Sequence, residues 1–150
     1  DSKRDRVFLH GAGENLDEAW AFDLRARRWE NLQPRVAAPS GGLPPPASRE
    51  AVYLPDDDVI LTVGPSREDS AQPAAWAYSA AENVWRKVEI PMPAGVVPSQ
   101  VAGQNRALVY DPKRNLVFLV LGEHGDEGKA SVYALRYRHT RARFLSSPSR

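Results

Sequence analysis

The sequence predicts an all-β protein built from a repeated four-stranded antiparallel unit. Three observations predict it. Trp20-Ala21-Phe22 is followed by Trp29, and Trp76-Ala77-Tyr78 by Trp85 at the same nine-residue interval; Tyr133-Ala134-Leu135 is a third copy with Ala142 in place of the second Trp. The copies stand 56 and 57 residues apart, the signature of one supersecondary unit copied along a chain. Prolines crowd residues 34–46 and 91–98, where the missing N–H and the ring clash exclude long helices. The segments between are rich in Val, Ile, Leu, Tyr, Phe and Trp, which suit a pleated, half-buried surface.

The first unit opens with Arg6-Val7-Phe8-Leu9-His10, ending at Gly11, and its strands are expected at about residues 5–11, 19–24 and 27–32. Nothing stands ahead of these strands, so the unit lacks an opening strand. The second unit, about 48–90, has four. Arg49-Glu50-Ala51-Val52-Tyr53 leads into Leu54-Pro55-Asp56-Asp57-Asp58, a turn in which Pro presets φ and Asp bonds its own backbone. Val59 to Val63, ending at Gly64, is a near-continuous apolar run, as expected of a strand buried on both faces. In the aromatic strand Trp76 and Tyr78 share one face with Ala77 opposite, and Trp85 marks the fourth strand. The third unit, about 105–145, repeats the order. Arg106 to Tyr110, the turn Asp111-Pro112-Lys113-Arg114-Asn115, Leu116 to Leu121 ending at Gly122, and Tyr133 to Leu135 correspond in turn, with a last strand expected from Tyr137 to Leu145. The units divide the chain into residues 1–46, 47–103 and 104–150. The tryptophans are read as sheet-to-sheet packing in preference to ligand stacking.

Radial stacking of such meanders makes a β-propeller. The strand-opening Arg49 and Arg106, the apolar strands ending at Gly64 and Gly122, the aromatic-Ala-aromatic strands, the Trp nine residues on and the Pro91-Met92-Pro93 linker resemble kelch repeats, the family that includes the propeller of galactose oxidase. Kelch repeats usually end the second strand with two glycines. Here the pairs are Gly11-Ala12, Gly64-Pro65 and Gly122-Glu123, so the blades are divergent. About three blades make an incomplete ring, since closed propellers have four to eight. An arc leaves two apolar sheet faces bare. Either a longer chain supplies the remaining blades, or two arcs close one ring with a strand contributed by the other copy. Arg136, Arg138, Arg141, Arg143 and His139 on the last strand either blunt a sheet edge or form a basic patch for nucleic acid or acidic lipid.

Composition narrows the function classes. The net charge of +1 gives no long-range field favouring nucleic acid or a membrane surface. With no cysteine the chain has no disulfide, thiolate ligand or Cys nucleophile, and it cannot hold the complete Tyr–Cys copper centre of galactose oxidase. No apolar run approaches a membrane span, and no Asn-x-Ser/Thr sequon occurs. The excess of Arg over Lys, with abundant Ala and Pro, suggests a GC-rich bacterial genome and a secreted or periplasmic setting.

No catalytic motif is present, and no catalytic residue, metal or cofactor is assigned. His10 and His124 fall at equivalent strand ends, open to a metal or to local hydrogen bonds. The acidic loops Glu14 to Glu18 and Glu123 to Gly128 suit Ca²⁺ or a basic partner, or are solvated hairpin loops. The kelch resemblance implies that loops after the second strand and loops between blades share the face around the channel. Arg49 and Arg106 would then line a pocket ringed by His10, Glu14, Arg67, His124 and Asp126. A guanidinium there would take a carboxylate or phosphate bidentately, or pair with a neighbouring blade's carboxylate. The expected function is a non-enzymatic binding scaffold for a protein or glycan. The alternative is one segment of a propeller enzyme, such as a carbohydrate oxidase or other glycan-active enzyme, with catalytic residues elsewhere.

Overall fold

The computed structural model describes residues 1–11, 18–37, 44, 50–92, 94, 96–103, 105–122 and 129–144. They form three sheets, none closed on itself. The first is the antiparallel meander β1 (Arg6–His10), β2 (Ala19–Asp23) and β3 (Arg28–Asn31). The central sheet runs β5 (Glu50–Leu54), β6 (Val59–Pro65), β7 (Pro73–Ser79) and β8 (Val84–Val88), with the two-residue β4 (Arg35–Val36) added parallel to β8. The third comprises β9 (Arg106–Asp111), β10 (Leu116–Gly122) and β11 (Ala130–Leu135). A single helical turn, α1 (Pro98–Ala102), links the second and third, with Pro98 at its tolerated first position.

Hairpin turns of one design set the strand ends. Leu24–Arg27, Pro55–Asp58, Ala80–Asn83 and Pro112–Asn115 each span four residues, and the last residue of each has φ between 51° and 55°. Asp58, Asn83 and Asn115 tolerate this left-handed conformation at small cost, whereas Arg27 adopts it against its preference. Asp23 and Asp111 brace their turns by accepting two backbone N–H bonds each.

The sheets stack face to face in chain order. Trp76, Tyr78, Trp85 and Ile60 on one face of the central sheet pack against Phe8 and Leu32 of the first. Phe8 stacks on Tyr78 with ring centroids 4.8 Å apart and meets Trp85 edge-on at 6.0 Å. On the opposite face Val59, Leu61, Val63, Ala75 and Ala77 pack against Val117, Leu119, Leu121, Tyr133 and Leu135 of the third sheet. Among the described residues only the central sheet is covered on both sides, and β6 is buried along nearly its whole length, as the apolar run predicts. β1 and β10 carry similar runs but are less buried, because each outer sheet has one covered face.

Polar ties supplement the packing, and the acid triplet supplies several of them. Arg4, just before β1, grips Asp58 with two hydrogen bonds of 2.6 and 2.7 Å, while Tyr53 Oη and Lys3 Nζ donate to the same carboxylate. Asp56 accepts from Asn115 Nδ2 at 2.6 Å across to the third sheet. Asp57 accepts the His139 backbone N–H at 2.8 Å. Three successive carboxylates thus hold three different segments. The hydrogen bonds from Arg4 hold the Asp58 carboxyl far below its ordinary range, and burial, followed by the bond to Asp58, pushes the Tyr53 phenol up to about 12.

Two expectations are corrected. The last strand expected from Tyr137 to Leu145 is absent over the described residues. The chain instead makes a 3-10 turn at His139–Arg141, and Phe144 bridges to Val88 at the edge of the central sheet. The reason is burial: Tyr137 turns into the core between the central and third sheets, its hydroxyl 2.8 Å from His139 Nδ1. Trp29, expected to pack between sheets, is 51% exposed, whereas Trp85 is fully buried. Trp85 lies under the first sheet, whereas Trp29 is on that sheet's outward face, with the Phe22 ring beside it at 5.2 Å.

Trp85→Ala should therefore lower stability by about 3–5 kcal/mol, the scale for a buried aromatic truncated to alanine. Trp29→Ala should cost less than about 1 kcal/mol. Urea unfolding in dilute solution checks the contrast, and equal losses would contradict the stacking order. The depressed Asp58 carboxyl makes the folded state bind fewer protons than the unfolded chain in acid. Its contribution is thus fully present above the unfolded carboxylate range and is lost as pH falls below about 4. Asp58→Asn should cost about 2 kcal/mol near neutrality, the scale of a hydrogen bond to a charged group, and should flatten the acid limb of a stability–pH curve.

Candidate functional site

The long connections all leave from the end of the sheets opposite the four-residue turns. There β1, β6 and β10 finish and β5 and β9 begin. β5 and β9 lie side by side as the leading strands of neighbouring sheets, so Glu50 and Arg106, one residue apart in repeat position, approach each other. Arg106 is 8% exposed. Its Nη1 donates to the Ala102 carbonyl at the end of α1 at 3.1 Å, and its buried Nε has no hydrogen-bond partner. Burial lowers the guanidinium's pKa from its ordinary value, against the opposing pull of the Glu50 charge. The backbone is tied down beside it, since Gly122 N–H donates to the Asn105 carbonyl at 2.8 Å.

His10 is placed differently. Its Nδ1 lies 3.1 Å from the Glu18 carbonyl and its Nε2 3.1 Å from that of Pro44, while the ring packs 5.3 Å from Trp85. A neutral imidazole donates to one of these carbonyls and an imidazolium to both. The ring therefore fastens the connection after β4 to the first sheet. Arg67 is exposed on the β6–β7 loop. His10 and Arg106 direct their polar atoms to backbone carbonyls in their own surroundings, not to each other. Arg49, Glu14, His124 and Asp126 lie outside the described residues. No group of three His, Asp or Glu side chains placed to hold a metal occurs among the described residues.

Glu50 is the residue that sequence reasoning missed. A single Glu beside a strand-opening Arg carries no local signal, and its role emerges only when β5 and β9 are brought together. The arginine run adds a second concavity. Arg136, Arg138, Arg141 and Arg143 border a cleft of about 590 Å³ whose apolar side includes Ile90 and Leu135. Arg138 stands 3.9 Å from Asp57, and Glu89 also lines the cleft. Deeper inside, burial raises the Tyr137 phenol and lowers the His139 imidazole from their ordinary values. The two groups bond to each other within the protein.

The two places differ in how their guanidiniums are held. Arg106 presents a desolvated positive group with an unused donor beside an acid, and the cleft presents guanidiniums that can receive an anion. No family model and no curated protein matches the sequence.

Proposed function

We propose that the chain is an arc of divergent kelch-like propeller blades that acts as a non-enzymatic binding scaffold, taking a protein or glycan ligand at its long-loop end. The observation that carries this reading is Arg106. It is buried at the start of a leading strand, beside a neighbouring leading strand, with Nε unpartnered. A buried donor without an acceptor costs roughly 1–3 kcal/mol, which a ligand oxygen would recover. The stacking of three meanders in chain order, with β5 and β9 adjacent, supports the blade reading. The repeat spacing supports it independently.

A carboxylate is the group that best matches this donor, because two oxygens accept from Nε and one terminal nitrogen together, and its entry requires the side chains that bury Nε to move aside. An acidic protein side chain and a uronic-acid glycan both carry it. Glu50 would then limit the site to ligands that approach from the donor side and avoid its charge.

Titration with glucuronate, followed by the Nε–H resonance of Arg106, should give a saturable shift, with glucose producing none. Arg106→Lys keeps a positive charge but loses the planar fork, and should weaken glucuronate binding about tenfold or more. A resonance that ignores glucuronate at saturating concentration would sink the reading.

A further inference from the structure

We propose that a second copy of this chain docks head to tail on the outward face of the first sheet, covering it with the outward face of its third sheet. The inference uses only the sheet faces and does not depend on ligand binding at Arg106.

The repeat defines two faces for each sheet. One carries the aromatic positions. Trp20, Phe22 and Trp29 in the first sheet correspond to Trp76, Tyr78 and Trp85 in the central one. In the central and third sheets this face is always covered by the sheet before it. In the first sheet it is bare: Trp29 is 51% exposed and Val7 50%. The other face does the covering. Its central position, opposite the strand alanine, is Phe8 across from Ala21, Leu61 across from Ala77 and Phe118 across from Ala134. In the third sheet this covering face is also bare, with Val109 52% and Val132 61% exposed. One chain therefore presents both halves of the joint that it makes twice internally.

The residue at the covering position selects between the halves. Phe8 covers the face that holds Tyr78 and Trp85, stacking on one ring and meeting the edge of the other. Leu61 covers the third sheet, where Leu135 stands in place of Tyr78 and the second Trp is absent. The free covering position carries Phe118, and the free aromatic face carries Phe22 and Trp29, the same partnership as Phe8 with Tyr78 and Trp85. Placed as the internal joints are, Phe118 of the second copy stacks on Phe22 and meets the edge of Trp29. Such a joint is heterologous, so it closes into a ring or extends as a chain of copies.

Sedimentation across a concentration series up to about 100 µM, the range for weak association, should show wild-type mass rising above a single chain. Trp29→Arg and Val132→Arg both alter exposed positions and keep the fold, which near-UV circular dichroism verifies. Each should weaken self-association by roughly tenfold or more, the loss expected at a central contact. Mixing the two variants should restore a dimer, because the Trp29 face of one and the Val132 face of the other are both intact. A wild-type chain that stays monomeric, or a mixture no heavier than its parts, overturns the proposal. So does association indifferent to both substitutions.

Discussion

Burial of the central sheet on both faces is the interaction on which the rest of this structure depends. A three-stranded sheet with one covered face is marginal by itself, since too little apolar surface leaves water to offset the ordering of its backbone. The first and third sheets are each such a sheet, and each gains its covered face only from the central one. The central sheet in turn fills both interlayers with its largest side chains. Trp85 and Tyr78 lie on one side, and Leu61 and Val59 on the other, all essentially removed from solvent. The indole N–H groups of Trp76 and Trp85 are buried without partners. That is a real cost, and the structure tolerates it because the rings bury far more apolar surface than the two donors forfeit.

The strands of the first sheet were legible from the sequence to within a residue or so. Alternation, turn residues and the aromatic repeat are local signals, and nothing elsewhere in the fold competes with them. Trp29 shows the limit of such signals. It occupies the same repeat position as Trp85, with the same spacing and a similar neighbourhood, yet one is half in water and the other fully buried. The difference lies in which sheet stands in front, a fact no window of sequence contains. The arginine run fails for a related reason. The charge of Arg136, Arg138, Arg141 and Arg143 suits an edge strand, but burial of Tyr137 and the bond from the His139 N–H to Asp57 draw that segment into a turn. The short strand β4 and the helical turn α1 were also unforeseen, because each is too short for periodicity and is held by tertiary contacts. At the candidate site Arg106 was legible as a strand-opening residue. Its burial and its neighbour Glu50 were not, since both follow from the juxtaposition of β5 and β9.

The acid triplet was read as a turn, and it is one. Its further use comes from the directions in which three consecutive residues point when the last adopts a left-handed conformation. Asp56 faces the third sheet, Asp58 the first, and Asp57 the segment after β11. A turn of any composition would reverse the chain. Three successive short side chains with oxygen acceptors supply them in three directions from one tight loop.

Placing these ties in a four-residue turn also separates two tasks along the strand axis. One end of the stack carries the hydrogen bonds by which the triplet links the central sheet to both neighbours, and those contacts are short-range and particular about residue type. The other end carries the long connections. A substitution in the triplet touches ties to three segments at once, and the long connections add buried contacts of their own, with Val101 and Ala102 of α1 in the core and Pro44 held by His10. A change at this one turn therefore reaches both outer sheets, because the same loop holds Arg4 on one side and Asn115 on the other.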